Sequence, residues 1–271
     1  MESMLDVSVV VVNYNTFDLT CNCIRSIVTF TKDTTYEIIL VDNASIDRPT
    51  EALADLFPKL TIIKSQENVG FAKGNNLGIA HAKGKYILLL NSDTVLINDA
   101  ITLIKNFLDL NPEVATASAR LEDVDGTAQH NCQRFPSIRY KLFELLRLQK
   151  LLGKSVGAKV LLGPFFDYNS ITYPDWVWGT FFMFRKEHLE LLPGKKLADD
   201  FFMYGEDMQW CMEFRKLGFK VAFVPQARVI HLLGKSGGKK NEWLAANQKR
   251  FMDKYYSGHH RIALNWLDRL F

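Results

Sequence analysis

At 271 residues the chain has room for one large α/β domain and a modest appendage, and 48% hydrophobic against 23% charged residues is the balance of an ordinary folded protein. A net charge of +3 is too small to support binding to nucleic acid, so no nucleic-acid partner is expected. The four cysteines, Cys21, Cys23, Cys132 and Cys211, have neither zinc-ribbon spacing nor an easy disulfide partner, which leaves four reduced thiols.

The first hundred residues alternate short apolar runs with amphipathic stretches. Val7 to Asn13 (VSVVVVN) is too apolar for a half-exposed strand and reads as one covered on both faces. A helix follows from Asp18 to Phe30, with Leu19, Cys23, Ile27 and Phe30 at helical spacing. Glu37 to Val41 is a second buried strand, Thr50 to Phe57 a short helix and Leu60 to Ser65 a third strand. Gly70 to Ala82 is helical and Tyr86 to Asn91 (YILLLN) is a fourth strand. This rhythm indicates parallel βαβ units, whose ligands bind beyond the carboxyl ends of the strands. A helix over Asp99 to Leu110 stops at Asn111-Pro112, and Val114 to Ala119 and Val177 to Arg185 read as strands. Phe201 to Leu217 is helical from Glu206 onward and closed by Gly218. Lys220 to Val224 and Arg228 to His231 are two further strands, and Asn241 to Phe271 is a helical tail. With no internal repeat and no low-complexity linker, the expected organisation is a catalytic domain over 1–238 and a helical extension over 239–271.

Five polar stretches carry candidate chemistry. Asn91-Ser92-Asp93 ends a buried strand, where one carboxylate can anchor a magnesium or manganese ion or, equally, cap a turn. Asp42-Asn43 ends the second strand, as contacts for a base, ribose or phosphate or as a turn leading into the next helix. Asn68, Gly70 and Asn75 lie in a glycine- and asparagine-rich helix start able to face an anionic group, though without the spacing of a known phosphate loop. Glu206-Asp207 opens an apolar helix; one acid can cap it while the other faces a cleft as a general base, and Asp207 is the base candidate. His231 closes a strand ahead of Gly234-Lys235-Ser236, pairing a metal-capable imidazole with a lysine able to meet a diphosphate. No Ser-His-Asp or Cys-His nucleophile system presents itself.

The ordered set VVVVNYN (Val9 to Asn15), LVDNAS (Leu40 to Ser45), NVGFAKGNN (Asn68 to Asn76), LLLNSD (Leu88 to Asp93), WGTFFMFRK (Trp178 to Lys186), MYGEDMQWCMEFRKLG (Met203 to Gly218) and HLLGKS (His231 to Ser236) resembles family 2 glycosyltransferases of the GT-A fold, in their bacterial rhamnosyltransferase-like branch. The resemblance spans about Val7 to Ser236. It implies an α/β fold of GT-A type: a mostly parallel central sheet flanked by helices, with a Rossmann-like nucleotide-binding half. It implies that Asn13, Tyr14, Asn15, Asp42, Asn43, Asn68, Gly70, Asn75, Asn91, Ser92 and Lys235 lie around a nucleotide sugar. Asp93 and His231 would face a divalent metal ion (Mg2+ or Mn2+), His231 approaching either the metal or the diphosphate. Asn91 stands where many relatives carry the first acid of a DxD motif, so Asp93 alone is the expected carboxylate ligand. Asp207 matches the family's base, with Trp178, Gly179 and Glu206 on the acceptor side. The implied activity is inverting, metal-dependent transfer of a sugar, with rhamnose foremost, in cell-surface polysaccharide synthesis. The donor would be dTDP-rhamnose or a UDP-sugar, and the acceptor a glycan or lipid-linked saccharide.

Two rival classes are a nucleotidyltransferase acting on sugar phosphates and a non-catalytic nucleotide-sugar-binding module. The first strand ends in Asn13-Tyr14-Asn15 rather than a basic glycine-rich loop, which disfavours the former, and the acids at 93, 206 and 207 disfavour the latter. Met1 to Asp6 lacks a signal-peptide pattern and no uncharged apolar run approaches the roughly 20 residues of a membrane span, so a cytoplasmic location is expected. Between Arg139 and Lys159 a basic, leucine-rich stretch suits either peripheral contact with the inner membrane surface or packing on the domain. The aromatic tail can cover the core, shape an acceptor groove or mediate a homodimer.

Overall fold

The structure, a computed structural model, describes residues 5–148, 151, 153–232 and 240–268. β1 (Val7–Asn13) lies between β2 (Tyr36–Asp42) and β4 (Tyr86–Asn91), parallel to both, and β3 (Leu60–Lys64) extends the parallel set beyond β2. The helices α1 (Phe17–Phe30), α2 (Glu51–Leu56) and α3 (Phe71–Ile79) make the crossovers. The valine run of β1 has a simple cause. Val9 and Val11 pack into one apolar layer with Ile24 and Ile27 of α1, while Val10 packs into the opposite layer with Ala72 and Ile79 of α3. With helices on both faces, alternate residues are equally buried and no polar face remains. Burying each such side chain contributes about 1.5–3 kcal/mol.

Beyond β4 the sheet changes character. After the short β5 (Thr94–Leu96) and α4 (Ala100–Leu110), β6 (Val114–Glu122) enters the sheet, followed by β7 (Cys132–Gln133), α5 (Ile138–Leu145) and α6 (Gly153–Leu161). Next come β8 (Trp176–Val177), β9 (Phe181–Arg185), α7 (Glu206–Lys216), β10 (Lys220–His231), α8 (Lys240–Tyr255) and α9 (Gly258–Asp268). The main sheet has the order β3-β2-β1-β4-β9-β6-β10-β5, and β7 pairs with β8 in a small second sheet. β9 is antiparallel to both β4 and β6, so a parallel half joins a mixed half.

Two expectations change. Val177 to Arg185 is not one strand: the chain leaves the sheet at Trp178-Gly179-Thr180, because β8 pairs with β7 and only residues from Phe181 onward pair with β4. The two strands foreseen over 220–231 are one, β10, carrying a register shift between Val224 and Arg228. The basic leucine-rich stretch is two helices, interrupted where Arg147 takes a φ of 52°; within it Lys150 and Leu152 lie outside the described residues.

All four cysteines are free and buried. The tail covers the body rather than projecting from it. Phe251 of α8 is fully buried and stacks on Phe135, and Asn247 donates hydrogen bonds to the carbonyls of Met203 and Tyr204, immediately before the paired acids. Among the described residues no helix is long and apolar enough to cross a membrane.

Candidate active site

The parallel strands end in register, so Asn13 stands beside Asp42, and Asn91 beside Val12, at one carboxyl edge. Two loops there are stapled together. Asn13 Nδ2 donates to Ser45 Oγ at 2.8 Å and its Oδ1 accepts from Thr16 and Thr20; Asn15 Oδ1 accepts from the amide of Ile46. Asn15 and Ala44 both take positive φ, 55° and 63°, so each loop carries a residue in a conformation that is held only by its surroundings. Tyr14, between Asn13 and Asn15, is exposed. Asp42 Oδ1 accepts from the Ser45 amide and Oδ2 from Thr50 Oγ1, the bonds of a turn.

The asparagine-rich segment is likewise wired inward. Asn68 Oδ1 accepts from the Gly70 amide and from Asn43 Nδ2, Asn43 Oδ1 accepts from the Val69 amide, and buried Asn75 donates to the Phe71 carbonyl. Gly70 has a φ of 82° and a Cβ placed on it would lie 2.3 Å from the Phe202 carbonyl oxygen. That oxygen accepts from the Phe71 amide, so the helix start is occupied by the chain's own 202 loop. Asn43, Asn68 and Asn75 are therefore engaged by the protein's own groups, as is Asn13 at the neighbouring strand end.

Asp93 follows β4 and is partly exposed; its carbonyl accepts from the Leu232 amide at 2.9 Å, which ties it to the end of β10. His231, the last residue of β10, is buried and turns Nε2 to within 3.5 Å of Asp93 Oδ1. That spacing is too long for a good N–H···O hydrogen bond, and one small cation can touch both atoms across it. A carboxylate oxygen and an imidazole nitrogen form an ordinary donor set for Mn2+, with solvent and ligand oxygens to complete it. Asn91 Oδ1 is also buried and lacks a hydrogen-bond partner, while Ser92 Oγ lies 3.0 Å from Thr16 Oγ1. Among the described residues no third His, Cys, Asp or Glu joins Asp93 and His231. Lys235 lies outside the described residues.

The break after β8 links this pair to the paired acids. The ring of Trp178 meets that of His231 edge-on at 6.4 Å, and the Gly179 amide donates to Asp207 Oδ2 at 3.1 Å. Asp207 Oδ1 accepts from the Met208 amide. Gly179 has little room: an added Cβ would approach Phe71, Asp207 and Trp210 at 3.3–3.5 Å. Before the acids, Tyr204 and Gly205 take φ of 67° and 100°, a sharp turn that glycine adopts without steric cost and that starts α7 at Glu206.

The two acids sit in different surroundings. Glu206 is 5% exposed, its Oε2 has no partner, and burial together with the charge of Asp207 pushes its carboxyl well above the usual carboxylate range. Its burial leaves it little exposed surface with which to meet an acceptor. Asp207 is also pushed up by burial, to about 6, with the amides of Gly179 and Met208 opposing the rise. Of the two, Asp207 is the less raised and the less buried. A carboxylate raised in this way is suited to take a proton. One contact was not foreseen from sequence: Gln129, in the loop between β6 and β7, places Oε1 2.8 Å from His231 Nδ1.

The family model for glycosyl transferase family 2 matches residues 8–166, more than half of the chain. The chain belongs to glycosyltransferase family 2. Among curated relatives of this family 2 enzyme, it is 22% identical over 257 residues to the N-acetylglucosaminyl-diphospho-decaprenol L-rhamnosyltransferase of Mycobacterium tuberculosis (strain CDC 1551 / Oshkosh), covering 84% of this chain and 78% of the relative. It is 24% identical over 170 residues to the rhamnosyltransferase WbbL of Escherichia coli (strain K12), covering 60% of each chain. Among solved structures, the mannosyltransferase PcManGT of Pyrobaculum calidifontis, in complex with GDP-Man and Mn2+, superposes with a TM-score of 0.63 at 18% identity over 97% of this chain and 69% of that one. GalNAc-T7 with UDP, GalNAc and Mn2+ superposes with a TM-score of 0.67 at 15% identity over 92% of this chain and 48% of that one. The fold of the family 2 chain is accordingly the GT-A fold, a central α/β sheet flanked by helices.

Proposed function

We propose that this family 2 glycosyltransferase is an inverting, metal-dependent enzyme that moves a sugar, with rhamnose foremost, from a nucleotide-diphosphate donor to a saccharide or lipid-linked saccharide hydroxyl. The observation that carries the reading is an Asp93–His231 pair with the spacing to share a divalent ion, joined through Trp178-Gly179 to an Asp207 carboxylate held by two backbone amides. The acceptor hydroxyl gives its proton to Asp207 and its oxygen bonds to the anomeric carbon from the side opposite the diphosphate, whose bond to that carbon breaks with the electron pair leaving on the diphosphate. Asp93 and His231 would hold the ion, which when bound neutralises the charge gathering on the leaving diphosphate. Gly179 and Met208 hold Asp207 by two amide donors, which fixes the direction in which it accepts. The rhamnosyl donor rests on the printed activities of the two rhamnosyltransferase relatives, and the presence of Mn2+ with both structural neighbours supports the metal.

A transfer assay following nucleoside diphosphate release, with dTDP-rhamnose and UDP-sugars as donors, tests the reading. Activity should need Mn2+ or Mg2+. It should also be lost as pH falls through about 6, because the base must be ionised and its folded value is raised to that level. A rate indifferent to chelator, with no acid limb near that pH, would contradict it.

We also propose that the α5–α6 face touches an anionic membrane surface. Leu142, Leu146, Leu151 and Val156 are exposed, beside a groove of about 500 Å³ lined by Arg134, Arg139, Tyr140, Phe143, Lys159 and neighbours. Sedimentation with vesicles should show binding that grows with anionic lipid content and falls in Leu142→Ser/Leu146→Ser; equal recovery without vesicles would exclude it.

A further inference from the structure

Gln129 has no place in the chemistry described above, yet its amide is held at both ends. Nε2 donates to Asp123 Oδ1 at 2.7 Å and to the His231 carbonyl oxygen at 2.9 Å. Both partners are acceptors, so the nitrogen and oxygen of this amide cannot be exchanged without placing oxygen against oxygen twice. Oε1 is therefore the atom that faces His231 Nδ1 at 2.8 Å, and it can only accept. Nδ1 must carry a proton. Gln129 and His231 are 5% and 6% exposed, so bulk water does not compete for this bond.

We propose that Gln129 is a positioning residue that fixes the tautomer of His231. With Nδ1 protonated, the neutral ring presents an unprotonated Nε2, and its lone pair faces Asp93 Oδ1 across 3.5 Å. Two acceptors at that distance repel each other unless a cation lies between them, so the amide of Gln129 leaves both atoms free to accept from one cation. Without Gln129 the imidazole is free to carry its proton on Nε2 and donate to Asp93, which fills the gap with a hydrogen and removes the nitrogen as a metal ligand. The carbonyl contact from Gln129 back to His231 also fixes the ring's own backbone, so orientation and tautomer are set by one side chain. This inference rests on the metal reading of the site only for its consequence; the tautomer itself is a property of the protein alone.

The test has two independent readouts. In metal-free wild-type protein, about two pH units above the ordinary imidazole value of ~6.5, nitrogen-15 spectra should show a protonated Nδ1 and a bare Nε2 for His231, assigned by loss of its signals in His231→Ala. A protonated Nε2 there would overturn the proposal without any Gln129 variant. In Gln129→Met, which keeps the side-chain length, Mn2+ affinity measured by the electron paramagnetic signal of free Mn2+ should fall about 10- to 100-fold. A folded Gln129→Met, with wild-type circular dichroism, that binds Mn2+ within about twofold of wild type would also overturn it. Failure of wild type to bind Mn2+ while the nitrogen spectra show a bare Nε2 would sustain the tautomer assignment and bring down the metal reading instead.

Discussion

Replacing Asp207 with asparagine is expected to cut sugar transfer by about 10²- to 10⁴-fold while leaving donor affinity close to that of the wild type. At about 1.36 kcal/mol per decade this corresponds to about 3–5 kcal/mol of transition-state stabilisation. Asparagine keeps the shape of the side chain and still accepts from one amide, but it cannot take a proton from the acceptor. The variant should fold. Burial raises the folded carboxyl above its unfolded value, so carrying its charge at neutral pH costs folding stability, and a neutral amide relieves that cost. One of the two amide contacts, from Gly179 or Met208, is lost, at a net cost of about 1 kcal/mol. Steady-state kcat with unchanged donor KM checks the expectation. The acid limb near pH 6 should vanish with the base, leaving a low, flat profile.

Asp93→Ala should be as severe by a different route. A metal bound at a diphosphate supplies several kcal/mol of charge stabilisation, so removal of its carboxylate ligand is expected to lower transfer by about three decades. Donor affinity should fall with it, and added Mn2+ should restore little. The backbone of this position is anchored independently of its side chain, through the bond from the Leu232 amide to the Asp93 carbonyl and through the strand pairing of Thr94 with His231. A loss of activity therefore reads on the carboxylate and not on the sheet. The two variants should separate cleanly: Asp207→Asn affects the chemical step, and Asp93→Ala affects both the donor and the chemistry.

The parallel half of the fold was legible in the sequence because its strands are covered on both faces. Val7 to Asn13 and Tyr86 to Asn91 could be bounded to the residue, since a continuous apolar run ending in Asn, Asp or Ser has few other readings. The same signal misled at Val177 to Arg185. Trp178, Gly179 and Thr180 are apolar or small, so nothing local marks the point where the chain leaves the sheet to hand the Gly179 amide to Asp207. β5, three residues long, is too short to show a period. Gln129 lies in an unpatterned loop and meets His231 across 102 residues, a pairing that only the closed sheet brings about. The glycines and asparagines of 68–76 were expected at a ligand; the structure shows what they do within the protein, which is to accept the 202 loop and tie β2 to α3. The paired acids look alike in the sequence and differ in their surroundings in the fold: Glu206 is buried with an unpartnered oxygen, whereas Asp207 accepts from two amides and is less buried.

The division of labour between Asp93 and Asp207 is tested most directly by calorimetric titration of the two variants with dTDP-rhamnose and UDP-sugars in the presence of Mn2+. Asp207→Asn should bind its donor like the wild type, Asp93→Ala should not, and chelation should abolish binding to the wild type. Donor binding that survives both chelation and Asp93→Ala but disappears in Asp207→Asn would contradict this division of labour.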